Sequence, residues 1–409
     1  VNFLTELKEG IFISWGAIRA NKLRSALTTL GIVIGVVTVT LMGTAIEGLN
    51  QAFLRSISSM GADVFYVMRF SWFNRTYADW IKMQKRQPFT LAQIKAAADQ
   101  LTLAGAVAPV GEYWAPIKYR NRTSNRVNLV GTTEEFLITS GVSVARGRFL
   151  TPDEVDGARP VCVIGAAVAT NLFQLDTPIG KTVRVNQMAL EVIGVLDKQG
   201  MLLGDFNLDN RVIVPLRQLI SGFSRYPNLR IEVKAVSTDQ IDEAKEELRG
   251  VLRKVRRLAP GEPDDFSINQ QEMFIERFNR VAGTIAMVGL FITGLSLFVG
   301  GIGIMNIMFV SVAERTHEIG IRKAIGAKRR TILIQFLTEA ATICLFGGLL
   351  ALGIAYGLTF AVQKFLPATM SFTVVAIALL VSIFTGVASG FFPAWRAARM
   401  DPVEALRKE

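Results

Sequence analysis

Histidine is almost missing from this sequence, with His317 the only one in 409 residues, and cysteine is nearly as scarce, with Cys162 and Cys344 alone. One histidine cannot complete the His-Glu-x-x-His zinc motif that His317-Glu318 begins, because Ile321 stands where the second would be. One cysteine lies in a hydrophilic region and the other in an apolar run, which leaves neither a disulfide framework nor a metal spacing. Both read as buried apolar fillers. A complete phosphate-binding loop is absent too. Gly180-Lys181-Thr182 matches its end, but Leu175 occupies the place of its first glycine. The carboxylates Asp153, Glu154 and Asp156 cluster after Pro152 as a solvated turn would. No nucleophile triad stands out, so the chain is expected to be no enzyme, with no catalytic, cofactor-binding or metal-binding residues.

Charge is missing in a pattern. Residues 25–46, 281–312, 340–362 and 372–392 contain no Asp, Glu, Lys, Arg or His. Each run is long enough to cross about 30 Å of hydrocarbon. Ion-coupled transporters and proton relays need ionisable groups at that depth, so these classes are excluded and energy must come from elsewhere. The run 281–312 makes about 48 Å of helix, and its excess should project outward as a stalk. The formal charge of +11 is not gathered in one stripe, as a nucleic-acid binder would have it. Several of the basic residues sit beside the apolar runs, where anionic headgroups lie, so membrane lipid is expected as a partner and nucleic acid is not.

The fold expected is an α-helical membrane protein with four transmembrane helices and a large α/β extracytoplasmic domain between the first and second. Residues 1–24 read as an amphipathic interfacial helix, with Leu4, Leu7, Ile11, Trp15 and Ile18 at helical spacing. Residues 25–60 read as the first span with an outward stalk, 61–270 as the periplasmic α/β domain in two lobes, and 271–312 as a stalk and second span. Residues 313–334 form a cytoplasmic connection, 335–392 the third and fourth spans, and 393–409 a cytoplasmic tail. Within the α/β domain, strands are expected at 63–68, 113–120, 126–131, 159–165, 182–185, 190–196, 212–215 and 230–235, with a turn at 121–125. Helices are expected at 90–101 and 238–258.

The connection between the second and third runs fixes the orientation. Residues 314–330 carry Arg315, Arg322, Lys323, Lys328, Arg329 and Arg330 against Glu314 and Glu318. Short loops rich in Lys and Arg stay cytoplasmic, and both chain ends follow the same rule. At 100° per residue Ile321, Ala324 and Ile325 share one side of a helix, a ridge suited to docking. Glycine pairs spaced for close helix packing occur at Gly31 and Gly35, Gly353 and Gly357, and Gly386 and Gly390.

Three stretches carry a family resemblance: ANKLRSALTTLGI at 20–32; MNIM at 305–308 with EIGIRKAIGA at 318–327; and PAWRAAR at 393–399 with DPVEAL at 401–406. They resemble the MacB/FtsX-type ABC transporter permeases. The resemblance implies a bacterial inner-membrane protein with cytoplasmic termini, acting as a homodimer or as a heterodimer with a similar permease. It implies a cytoplasmic ABC ATPase that holds ATP and Mg, neither of them on this chain. MacB carries its ATPase on the same chain; this sequence starts at the permease, so a separate subunit is expected. Mechanotransmission follows, in which ATP hydrolysis moves the outer domains through the stalks and drives export, with a periplasmic adaptor and an outer-membrane channel as further partners. The coupling residues implied are Glu314, Arg315, Glu318, Ile319, Gly320, Ile321, Arg322, Lys323, Ala324, Ile325 and Gly326. The alternatives are a lipoprotein-extracting LolC/LolE-like permease and an FtsX-like signalling scaffold controlling a cell-wall hydrolase.

Overall fold

The computed structural model describes residues 22–57, 60–73, 76–174, 176–202, 206–223, 227–364 and 369–407. The expected interfacial helix lies almost wholly outside them. The chain forms two compact units, residues 1–52 with 278–409, and 53–277. Among the described residues, four helices are long and apolar enough to cross a membrane. These belong to α1 (Lys22–Ile57), α9 (Gln271–Glu314), α11 (Arg329–Val362) and α12 (Phe372–Arg399), and the α/β domain lies between the first and second. Helix α9 has 44 residues, about 66 Å at 1.5 Å per residue. Helix α11 begins well before the charge-free run, because its first turns are amphipathic: Ile332 and Phe336 are buried while Arg329 and Arg330 are exposed.

The second unit is built on one ten-stranded sheet. Its strands are β1 (Val64–Met68), β2 (Ala104–Tyr119), β3 (Arg122–Thr132), β4 (Val144–Gly147), β5 (Val161–Ile164), β6 (Thr182–Val185), β7 (Met188–Leu196), β10 (Arg211–Pro215), β11 (Arg230–Ala235) and β12 (Ser267–Asn269). The short strands β8 (Met201–Leu202) and β9 (Phe206–Asn207) form a separate hairpin. The spatial order is β12-β1-β11-β2-β3-β10-β5-β7-β4, with β6 joined to β2 and β7. The 16-residue β2 belongs to two neighbourhoods. Its first half pairs with β11, and its second half pairs with β3 and β6.

Strands β5, β7 and β10 explain why parts of the sequence read as unbroken apolar runs. Cys162, Ile164, Val192 and Val212 pack into one core, and Val161, Val163, Ile193 and Ile213 into another. Successive side chains point to opposite faces, so a strand buried on both faces has no polar alternation. The turn expected at 121–125 is tighter. Tyr119 pairs with Arg122, and Arg120 takes a positive φ of 50° in the two-residue connection. The polar residues that suggested a longer turn lie on β3.

Short helices fill the connections: α2 (Tyr77–Gln84), α3 (Leu91–Ala98), α4 (Phe136–Thr139), α5 (Pro152–Asp156), α6 (Ala166–Phe173), α7 (Leu216–Gly222) and α8 (Ile241–Val255). Helix α3 starts at a capping box, in which Thr90 Oγ1 accepts from the Gln93 N–H and Gln93 Oε1 from the Thr90 N–H. The sequence reading of 153–156 as a solvated turn needs correction at Glu154. That side chain is buried, takes two hydrogen bonds from Arg148 at 2.8 and 2.6 Å, and accepts from the Thr151 N–H at 3.1 Å. Proline at the first helical position and a cap of this kind start a helix rather than a turn.

The Arg148 guanidinium, working against burial and aided by Thr151, holds the Glu154 carboxyl down at about 2. An unfolded glutamate titrates near about 4.3. The stabilisation is therefore complete above that value and is lost as pH falls toward about 2. Glu154→Gln should lower stability at neutral pH, and the gap from the parent should close on acidification through this window. Acid titration of the purified chain, followed by near-UV circular dichroism, reads this. A gap that stays constant with pH would refute it.

A second ionic group sits where β2 changes partners. Arg230, opposite Val110, pairs with Glu112 at 2.5 Å and Glu232 at 3.1 Å. Glu232 is only 2% exposed and also accepts from Thr139 Oγ1 at 3.3 Å. Burial alone would lower the pKa of Arg230, but the two carboxylates reverse this and hold it above its usual range. For Glu112 burial works upward, yet Arg230 wins and the net shift is down.

Candidate functional site

The connection at 314–330 folds into an elbow inside the first unit. Helix α9 ends at Glu314, and Arg315 leaves helical geometry with φ −103° and ψ 17°. A new helix, α10 (Thr316–Ala324), then runs to a glycine stop. Gly326 has φ 100°, its N–H bonds the Lys323 carbonyl, and the Ala327 N–H bonds the Arg322 carbonyl, each at 3.0 Å. This six-to-one and five-to-two pair is the Schellman stop, which suits a residue without a Cβ. Two residues later α11 begins.

Polar contacts tie this short helix to its neighbours. Arg315 reaches Glu339 of α11 at 3.3 Å, and Glu339 is buried. Arg322 donates to Gln335 Oε1 at 2.7 Å and pairs with Glu318 one turn back at 2.6 Å. Lys323 Nζ donates to the Met400 carbonyl at 2.5 Å, and burial, with Arg329 nearby, lowers its pKa. The tail helix α13 (Pro402–Arg407) covers the inner side of α10. It starts at Asp401, whose carboxylate accepts from the Val403 N–H at 2.9 Å, with proline at the first helical position.

The residues singled out from sequence divide between two sides. Ile319 and Gly320 face inward. A Cβ on Gly320 would lie 2.9 Å from the Ala405 Cβ and 3.3 Å from Leu406 Cγ, so the close approach needs glycine. Glu314, Glu318, Ala324 and Gly326 are exposed, and the apolar side chains of Ile321 and Ile325 are 41% and 82% exposed. Val403 and Leu406 of α13 add exposed apolar surface. Sequence reasoning missed Glu339 and Gln335, which hold the arginines. The available signal was Glu339 itself, a lone carboxylate at the edge of an apolar run.

The glycine pairs differ in surroundings although their spacing is the same. A Cβ on Gly31 would come within 2.9 Å of the Gly300 Cα, and one on Gly35 within 2.8 Å of Leu297 Cδ2. On Gly386 it would meet the Ala340 carbonyl oxygen at 2.9 Å and Cys344 Sγ at 2.7 Å; on Gly390 it would meet the Ala340 Cβ at 2.5 Å. A Cβ on Gly353 or Gly357 would meet nothing within 4 Å among the described residues.

A family profile described as the MacB-like periplasmic core domain matches residues 25–251, and one described as the FtsX-like permease C-terminal region matches residues 290–402. The chain is 30% identical over 464 residues to a macrolide export ATP-binding/permease protein MacB of Syntrophobacter fumaroxidans, covering 99% of this chain and 64% of that protein. It is 32% identical to the pyoverdine export ATP-binding/permease protein PvdT of Pseudomonas syringae pv. tomato, covering 99% and 60%. Thus it spans less than two thirds of these two relatives. It is 33% identical to the uncharacterized ABC transporter permease YknZ of Bacillus subtilis, covering 98% of this chain and 100% of that one. Among solved structures, the periplasmic region of MacB from Actinobacillus actinomycetemcomitans is similar at a TM-score of 0.46 with 20% identity, over 56% of this chain and 98% of that one.

Proposed function

This chain belongs to the family of ABC transporter permeases that join a MacB-like periplasmic core domain to an FtsX-like C-terminal part, and we propose that it turns cytoplasmic ATP hydrolysis into movement of its α/β domain outside the cytoplasm. The elbow carries this reading. It presents Ile321, Ala324 and Ile325 to solvent on a helix braced by Arg315–Glu339 and Arg322–Gln335. An apolar edge on a braced helix in a basic loop suits a groove on a cytoplasmic ATPase. In this reading ATP and Mg belong to a cytoplasmic ATPase partner, in keeping with a relative, matched over its full length, whose title names a permease. Helix α9 supports transmission, since Gln271–Glu314 is one helix that ends at the elbow.

The work done is export, in keeping with the titles of the MacB and PvdT relatives. A dimer fits the open glycine pair at 353 and 357, a close-packing face that none of the described residues fills. An adaptor and an outer-membrane channel would complete the export path. The reading requires the α/β domain and the elbow to lie on opposite sides of the membrane, with both termini cytoplasmic. Single cysteines replacing Asn125 or Lys328, with Cys162 and Cys344 removed, test this on spheroplasts with an impermeant thiol reagent. Asn125→Cys should label and Lys328→Cys should not. The reverse pattern would overturn the coupling mechanism.

A further inference from the structure

The solvent face of β2 carries an arrangement that the coupling mechanism does not use. Trp114, Pro116 and Lys118 alternate outward, while Ala115, Ile117 and Tyr119 face the core. Lys118 stands directly opposite Arg184 of β6 and, on its other side, opposite Thr123 of β3. Lys118 and Arg184 are both exposed, and neither lies within ion-pair distance of a carboxylate among the described residues. Like charges directly opposite across a strand pair destabilise it. Nothing in the packing demands them, since an exposed face accepts threonine as readily, as Thr123 and Thr182 show. Lys181, Arg120 and Arg126 are further exposed cations of these strands and their turns, against two exposed carboxylates, Glu191 opposite Thr182 of β6 and Asp176, which pairs with Arg120 at 3.8 Å.

Trp114 is 52% exposed in the same outward row. Four residues of strand put it about 13 Å from Lys118. A ligand that touches both ends is extended, with an apolar group at one end and carboxylates at the other. A free phosphate is too short. A bilayer needs a broader apolar face than one tryptophan among threonines, asparagine and cations offers. An acidic stretch of polypeptide meets each requirement, and its carboxylates would neutralise the Lys118–Arg184 repulsion through charge-assisted hydrogen bonds.

We propose that the outward face of β2, β3 and β6, centred on Trp114, Lys118 and Arg184, docks an acidic segment of a partner protein on the same side of the membrane as the α/β domain. No residue of the elbow takes part, so this stands or falls separately from ATPase coupling. The test places a benzophenone amino acid at Pro116 in the full chain in cells, with the photo-adduct sequenced by mass spectrometry. The expected product is a protein crosslinked through a segment rich in Asp and Glu. Lys118→Glu with Arg184→Glu should lower its yield at least tenfold, while Lys118→Arg with Arg184→Lys, which keeps the charge, should leave it unchanged. In isolated membranes, raising salt from about 0.05 to about 0.5 M should lower it severalfold. Changing the acids of the captured segment to lysine should restore the adduct with the charge-reversed permease. The proposal is overturned by a lipid or glycan adduct, by no adduct, or by a protein adduct indifferent to charge reversal and salt.

Discussion

A permease carrying Ile325→Asp is expected to lose its ATPase, with at least a tenfold fall in complex recovered by co-purification and a matching fall in transport. Ile325 is the helix C-cap of α10 and is 82% exposed, so it gives this chain almost no packing energy. Burying one isoleucine in a partner's groove is worth roughly 1.5–3 kcal/mol, and each 1.4 kcal/mol is about a factor of ten in affinity. A charged group in the same groove costs more. The effect on folding should be small, because surface substitutions away from packed features change stability by about 0.5 kcal/mol or less. Ile325 is a cleaner probe than Ile321, which is half covered by its own chain. Ile325→Ala separates lost burial from added charge and should show an intermediate defect. Full complex formation and full activity in the aspartate variant would reduce the elbow to a topological connection.

The second large effect lies in the α/β domain. Arg230→Met removes the cation between Glu112 and the buried Glu232 while keeping most of the side-chain volume. Stranding a buried charge typically costs about 3–5 kcal/mol, whereas replacing a whole buried ion pair by apolar groups is often neutral. At about 2–4 °C per kcal/mol for a domain of this size, the α/β transition should fall by roughly 10 °C. Cys162 provides a local reporter. It is fully buried in β5, and burial pushes its thiol pKa up, so it reacts with a thiol dye only when this domain opens. Measured in a Cys344→Ala background, Arg230→Met should bring the onset of labelling down. Adding Glu232→Leu and Glu112→Gln should recover most of the loss. An unchanged transition in the single variant would mean that the carboxylates find water instead.

What the sequence disclosed follows from how strongly each signal depends on distant contacts. Residues 281–312 could be recognised as a span because a charge in hydrocarbon is costly wherever the helix packs. Strand β11 was legible because its flanks and its alternation are local. The first half of β2, AGAVAPV at 104–110, was not, since small residues and a proline have little strand propensity and β11 supplies the pairing. Helix α5 hid behind its own acids, as the capping and Arg148 contacts that bury Glu154 come from outside the acidic run. At the elbow, the ridge of Ile321, Ala324 and Ile325 follows from helical periodicity. That Ile319 and Gly320 would turn inward depended on α13, some 80 residues away in the chain. Glycine spacing named six positions but could not say which of them meet a neighbour within the chain.

The sharing of β2 between two neighbourhoods bears on how the α/β domain responds to load. Hinges in proteins are loops or element ends, where a few residues absorb the change in backbone angles. Here the two halves of the sheet are joined by an unbroken strand whose first half is laddered to β11 and whose second half is laddered to β3 and β6. Twisting one half against the other would bend that strand and shear both ladders at once, with the Arg230 ion cluster beside the point where β2 passes from β11 to β3. The strand therefore acts as a splint. Neither half of the sheet can turn against the other without straining ladders that belong to the same strand.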